Sequence, residues 1–236
     1  MLCASRDFNV KINDNYRRRS NLYIQDTIEP IVMDIFKNND IPFPIKHVAE
    51  GQNPVDFILN DGSTLSVKSN QRPLGKVAPQ IIGQPTAETY FDYLYHNFSF
   101  DIYKELDNAY LDDTYENRSY IFKCFSIENI EIMLSEYWRH LFECNYYLHF
   151  YNILKPGRIV NLDDIKYLSL IDVPTNPKWD KSNISFTQSI ESWNESNTVK
   201  YYGISIGEFQ VHKNRNCFKF RFNMSGVKKL LDENLI

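Results

Sequence analysis

Hydrophobic and polar positions along the 236 residues change rhythm several times, and each change predicts an element. From Asn21 to about Asn38, residues Leu22, Ile28, Ile31, Val32, Ile35 and Phe36 recur near helical spacing, with Pro30 starting that helix after Glu29. Phe43 to Val48 reads as extended. "NPVDFILNDGSTLSVKSN" (53–70) then reads as two short strands around Asn60-Asp61-Gly62. "GKVAPQIIGQPT" (75–86) carries two prolines and two glycines and is expected to be loop, with a helix from Thr86 through about Asn97. Residues 100–145 are mainly helical in pattern. "IENIEIMLSEYWRHLFE" is the strongest case, with Ser126 as its N-cap and Trp138 in the core. "YYLHFYNIL" (146–154) predicts a strand and residues 172–198 a long loop. "VKYYGISIGEFQVH" and "CFKFRFN" are β-like around a "KNRN" turn, and "GVKKLLDENL" closes the chain as a short helix. The class is mixed α/β (α+β).

The first hairpin poses the chemical question, because Asp56 and Lys68 lie in otherwise apolar strands and burying charge is costly unless it is paired or bound. A two-residue loop at Asp61-Gly62 would pair Asp56 with Val67 and turn it away from Lys68. A three-residue loop, Asn60-Asp61-Gly62, pairs Leu59 with Ser63 and Asp56 with Ser66, so that Lys68 is a diagonal neighbour on one face. The common three-residue hairpin ends in a left-handed residue, usually Gly, and Gly62 stands there. The second register is therefore expected.

Composition narrows the classes. Hydrophobic residues make up 43% and charged residues 24%, as in a globular chain. Four widely spaced cysteines without a CxxC pair argue against a zinc site or disulfide framework. No run of about 18 apolar residues is present to span a bilayer, so a cytoplasmic protein without membrane contact is expected. The net charge of -4 disfavours phosphate binding over the whole surface but permits a local basic groove. Sixteen Tyr and sixteen Phe can serve either a core or a contact surface.

Pro54-Val55-Asp56 with Ser66-Val67-Lys68 resembles the paired half-motifs of the PD-(D/E)xK nuclease superfamily. "SVKSNQRPLGKVAPQIIGQPT" in turn resembles the SLKTN…KxxPQxxGQP block of certain type II restriction endonucleases. The resemblance covers about 35 residues from Asn53 and implies a nuclease core: a mixed sheet with flanking helices, hydrolysing DNA with Mg²⁺. It implies Asp56 and the Val67 carbonyl as metal ligands and Lys68 as the cation that activates water. Two departures stand out: Val55 separates Pro54 from Asp56, and Ser66 occupies the usual acidic position. Glu50, or Glu88 on the following helix, would then supply the second carboxylate, with Gln80 and Gln84 as neutral substitutes. Asn70, Gln71 and Gln80 fall in the same block as candidate DNA contacts. Double-stranded DNA, a second copy of the chain and a companion DNA methyltransferase are the implied partners.

The C-terminal hairpin would read the DNA. Phe209, Val211, Phe218, Phe220 and Phe222 form an apolar side. Gln210, His212, Lys219, Arg221 and Asn223 line the other, with Lys213, Asn214, Arg215 and Asn216 at the turn. A two-stranded ribbon fits the major groove, where Arg reads guanine and Asn or Gln reads adenine. Arg17-Arg18-Arg19 could add phosphate contacts. One domain, 1–236, is expected, with a catalytic core over about 20–155 and a recognition region over about 156–236. Two other classes compete: a non-catalytic DNA-binding protein on a degenerate nuclease fold, and an interaction protein with a Tyr-rich surface.

Overall fold

Local pattern decides most of the elements. The computed structural model describes residues 9–11, 44–48, 55–70, 76–77, 87–151, 159–161, 167–213 and 217–236, which hold twelve strands and five α-helices. Contacts divide the chain into two compact units, Met1–Gly75 with Phe142–Thr175 and Lys76–Leu141 with Asn176–Ile236. The fold is mixed α and β, as expected. The helix expected over Asn21–Asn38 and Arg17 to Arg19 lie outside the described residues. Among the described residues no helix is long and apolar enough to cross a membrane.

The first unit contains a five-stranded sheet, β2 (Pro44–His47), β3 (Phe57–Leu59), β4 (Thr64–Asn70), β6 (Tyr146–Tyr151) and β8 (Tyr167–Asp172), in that spatial order. The β4–β6 pairing is parallel and the others are antiparallel. Phe57, Leu59, Leu65, Val67 and Leu148 are fully buried along one face. Strand alternation sets Asp56, Ser66, Lys68, Tyr147 and His149 on the other. A separate two-stranded pairing joins β1 (Asn9–Lys11) to β7 (Ile159–Asn161).

The second unit is built on an antiparallel sheet ordered β5 (Lys76–Val77), β12 (Cys217–Asn223), β11 (Ile204–His212), β10 (Ser196–Tyr201) and β9 (Ile184–Phe186). The aromatic surplus is concentrated here. Helices α1 (Ala87–Phe98), α3 (Tyr115–Glu128) and α4 (Ile130–Leu141) lay rings on one sheet face. Centroid distances are 4.9 Å for Phe91 with Phe218, 5.2 Å for Phe122 with Phe218, and 5.1 Å for Tyr137 with Phe220. Helix α2 (Ile102–Asn108) starts at Asp101, whose carboxylate accepts from Tyr103 and Lys104, and Thr114 caps α3 in the same way. Ser126 is not the expected N-cap: it lies inside α3, fully buried, and the break before α4 falls at Asn129. Trp138 is in the core, 1% exposed. The last helix, α5 (Met224–Asp232), approaches β11 so closely at Gly226 that a Cβ there would stand 1.8 Å from the Ser205 carbonyl oxygen. The expected long loop over 172–198 is interrupted by β9 and by the start of β10.

Candidate active site

The β3–β4 turn sets the register on which the site depends. Gly62 N–H donates to the Leu59 carbonyl (3.0 Å) and Leu59 N–H to the Ser63 carbonyl (2.8 Å), closing a three-residue loop. Gly62 has φ +85°, where an L side chain is strained. Asp61 tightens the loop by accepting from Ser63 N–H (2.9 Å) and Oγ (2.5 Å), and these bonds hold its carboxyl below the usual range. Phe57 therefore faces Leu65 and Ile58 faces Thr64. Asp56 falls on the Lys68 face, as the three-residue loop requires.

Asp56 is 5% exposed, and its Oδ2 gathers three donors: Val67 N–H at 2.6 Å, Lys68 Nζ at 3.3 Å and Ser66 Oγ at 3.4 Å. The carboxylate thus replaces the strand partner that Val67 lacks where β3 has not yet begun. In an extended strand the N–H and C=O of one residue point to the same edge. The Val67 carbonyl accordingly faces the edge on which Asp56 lies. Among the described residues every donor to Asp56 addresses Oδ2, which leaves Oδ1 to a further ligand. The Lys68 side chain keeps 20% of its surface in solvent, so its ammonium reaches water.

Three neighbours come from a distant stretch of chain. Asn145 Oδ1 accepts from Thr64 N–H (2.9 Å) and Oγ1 (3.0 Å), while Asn145 N–H donates back to the Thr64 carbonyl (3.1 Å). This clamp aligns the starts of β4 and β6 and sets His149 beside Lys68 in parallel register. His149 is fully buried, and burial, helped by the Lys68 charge, pushes its pKa down to about 3, so it is neutral beside the ammonium. Cys144, just before β6, has a free thiol that accepts from the Ser66 backbone; burial pushes it up to about 11. Sequence reading missed all three, because a parallel pairing of segments about 80 residues apart leaves no local signal.

The donors at this edge, a carboxylate oxygen and a main-chain carbonyl, are hard oxygens and suit Mg²⁺, which takes one or two carboxylates and keeps several waters. A protonated thiol is a poor zinc ligand, and among the described residues no group of three His, Cys, Asp or Glu gathers. The residues of β4, Ser66 among them, bring no second carboxylate to this edge. Glu50, Gln71, Gln80, Gln84, Asn214 and Arg215 lie outside the described residues. Asn70 ends β4, and Glu88 is exposed on α1, in the second unit.

The C-terminal hairpin is present, and its register sets Phe209 opposite Phe220 and Gln210 opposite Lys219. Its apolar residues are buried as foreseen. The hairpin is not a free ribbon, however, because both strands are interior to the five-stranded sheet. Its polar face is organised around Glu208, a residue the sequence reading passed over. Glu208 accepts from Arg221 and from Gln210. His212 is half-buried, 3.4 Å from Gln210 and 3.7 Å from Glu195, and Lys213 pairs with Glu116.

This chain is similar to a restriction enzyme. It is 31% identical over 195 residues to the type II restriction enzyme CviAII of Paramecium bursaria Chlorella virus 1. The aligned part covers 81% of this chain and 48% of that enzyme, so the chain spans about half the length of the relative it matches. No protein-family model matches the chain, and no solved structure does.

Proposed function

We propose that the protein is a site-specific endonuclease of double-stranded DNA, of the type II restriction class and the PD-(D/E)xK superfamily, using Mg²⁺. The observation that carries this reading is the convergence of Asp56 Oδ2, the Val67 edge and the Lys68 ammonium at one strand end. The similarity to CviAII supports it. Asp56 Oδ1 and the Val67 carbonyl would hold the ion, with Glu50 as the further carboxylate. When bound, Mg²⁺ supplies positive charge to the scissile phosphate and lowers the pKa of an attacking water.

Lys68 does the rest from the protein side. Its ammonium donates hydrogen bonds to the attacking water or to a phosphate oxygen, fixing the direction of attack and offsetting charge as it develops. Asp56 keeps Lys68 within 3.3 Å, and the Val67 N–H fixes the carboxylate that does so. The neutral His149 adds no second positive charge to repel that ammonium. The protein would act as a homodimer on a two-fold site, with a companion methyltransferase protecting host DNA. Incubation with plasmid DNA tests the reading: discrete fragments with Mg²⁺ and none with EDTA are expected, and the fragment ends give the site. Salt-sensitive binding without cleavage, at any Mg²⁺ concentration, would instead favour a non-cleaving DNA-binding protein, in line with Ser66 at the acidic position.

A further inference from the structure

Glu208 is only 5% exposed, yet it sits on the polar face of the sheet, directly across from Arg221. Its Oε1 accepts from Arg221 Nε at 3.1 Å, from Arg221 Nη2, and from Gln210 Nε2 at 2.7 Å. A buried carboxylate needs such partners, so a purely structural ion pair would already account for its presence. The geometry goes further in one respect. A guanidinium carries five N–H donors in a rigid fork, and Glu208 takes only the Nε/Nη2 edge. Among the described residues Nη1 donates to nothing, and the Arg221 side chain keeps 31% of its surface in solvent. One edge of the fork is fixed and the other is open.

We propose that Glu208 is a positioning residue that presents the Nη1/Nη2 edge of Arg221 to the O6 and N7 acceptors of a guanine in the major groove. The proposal rests on the site-specific DNA reading above. Charge selects guanine over phosphate as the acceptor. The Arg221–Glu208 pair has no net charge, and phosphate affinity comes from net positive charge that displaces counterions. A guanine edge asks only for two aligned donors, which a buttressed guanidinium supplies with little rotamer entropy left to lose.

Selection from a library of random-sequence duplexes, bound with Ca²⁺ in place of Mg²⁺ and then sequenced, tests this whatever the recognition sequence is. The wild type should select a motif containing a guanine. Arg221→Ala and Glu208→Gln should each lose preference at that same guanine, by about 5-fold or more, and keep the other positions. The double variant should read like Arg221→Ala alone, because Glu208 acts through the arginine. Thermal unfolding of each variant accompanies the selection. If Glu208→Gln does not fold, Glu208→Asp asks the same question, since it keeps the buried charge but draws the carboxylate back from the guanidinium by one methylene, and it too should lose the guanine. Arg221→Lys, which keeps the charge but not the fork, should lose it as well. An unchanged motif for Glu208→Gln beside a lost guanine for Arg221→Ala would overturn the role of Glu208 while leaving Arg221 as a reader. Further losses at other positions in the double variant would overturn it equally. An unchanged motif for Arg221→Ala or Arg221→Lys would overturn the whole proposal. A wild type that selects no motif would sink the site-specific reading along with it.

Discussion

Asp56 is held by the groups it would serve, and that changes what its replacement should do. The sequence shows two charges in an apolar hairpin but not which backbone groups depend on them. The structure buries Asp56 and gives it the Val67 N–H. Asp56→Ala should therefore cost about 1–3 kcal/mol in urea unfolding, because it orphans that donor. Asp56→Asn keeps an acceptor and should cost less. Equal stability of Asp56→Ala and wild type would show that the bond carries nothing. His149 gives a pH prediction. Its pKa is depressed in the folded state to about 3. The unfolded chain therefore binds the extra proton first, from the ordinary value of about 6.5 downward. Stability should fall by about 1.4 kcal/mol per pH unit as pH drops through that window, and level out below it. His149→Leu should remove this component, and parallel stability–pH curves for the two proteins would contradict the assignment. Asp56 and Lys68 were legible because one short hairpin sets both. Asn145, Cys144 and His149 were not, since only tertiary pairing brings them there.

At the scale of elements, sequence worked where geometry is local. The Asn60-Asp61-Gly62 turn fixed the β3–β4 register, and the alternation of Phe209, Val211, Phe218, Phe220 and Phe222 fixed the buried face of β11 and β12. It erred where burial overrode propensity. Ser126 is a good cap by type, but α3 runs through it, and Asn129 accepts the task of ending the helix. Nor could alternation reveal that β12 has a further neighbour, because β5 comes from a distant part of the chain, whereas β10 joins β11 through the local Tyr202-Gly203 turn. The α5–β11 contact yields a further test. Gly226→Ala would drive a methyl into the Ser205 carbonyl, so the helix must shift, at about 1–3 kcal/mol. Denaturant midpoints measure this, and a wild-type midpoint would mean that α5 does not pack as closely as described.

The two compact units are discontinuous in sequence, and the parallel β4–β6 pair explains why. Parallel neighbours need a long crossover, and here the chain from Lys76 to Leu141 that joins them belongs to the second unit. The candidate catalytic edge lies in one unit and the polar sheet face around Glu208 in the other. Under the proposed function the two tasks are separable: changes at Lys68 should remove cleavage but spare sequence preference, and changes at Arg221 should do the reverse. Binding to the selected duplex and to a scrambled one, measured with Ca²⁺ for Lys68→Ala, would show this. A lost preference for the selected duplex in that variant would tie the two tasks together. The measurement nearest the central claim is plasmid cleavage by wild type, Asp56→Asn and Lys68→Ala, side by side, with Mg²⁺ and with EDTA. Discrete fragments are expected from the wild type with Mg²⁺ alone, and no cutting from either folded variant. Wild-type rates from either variant, or wild-type cutting that EDTA leaves intact, would contradict that claim.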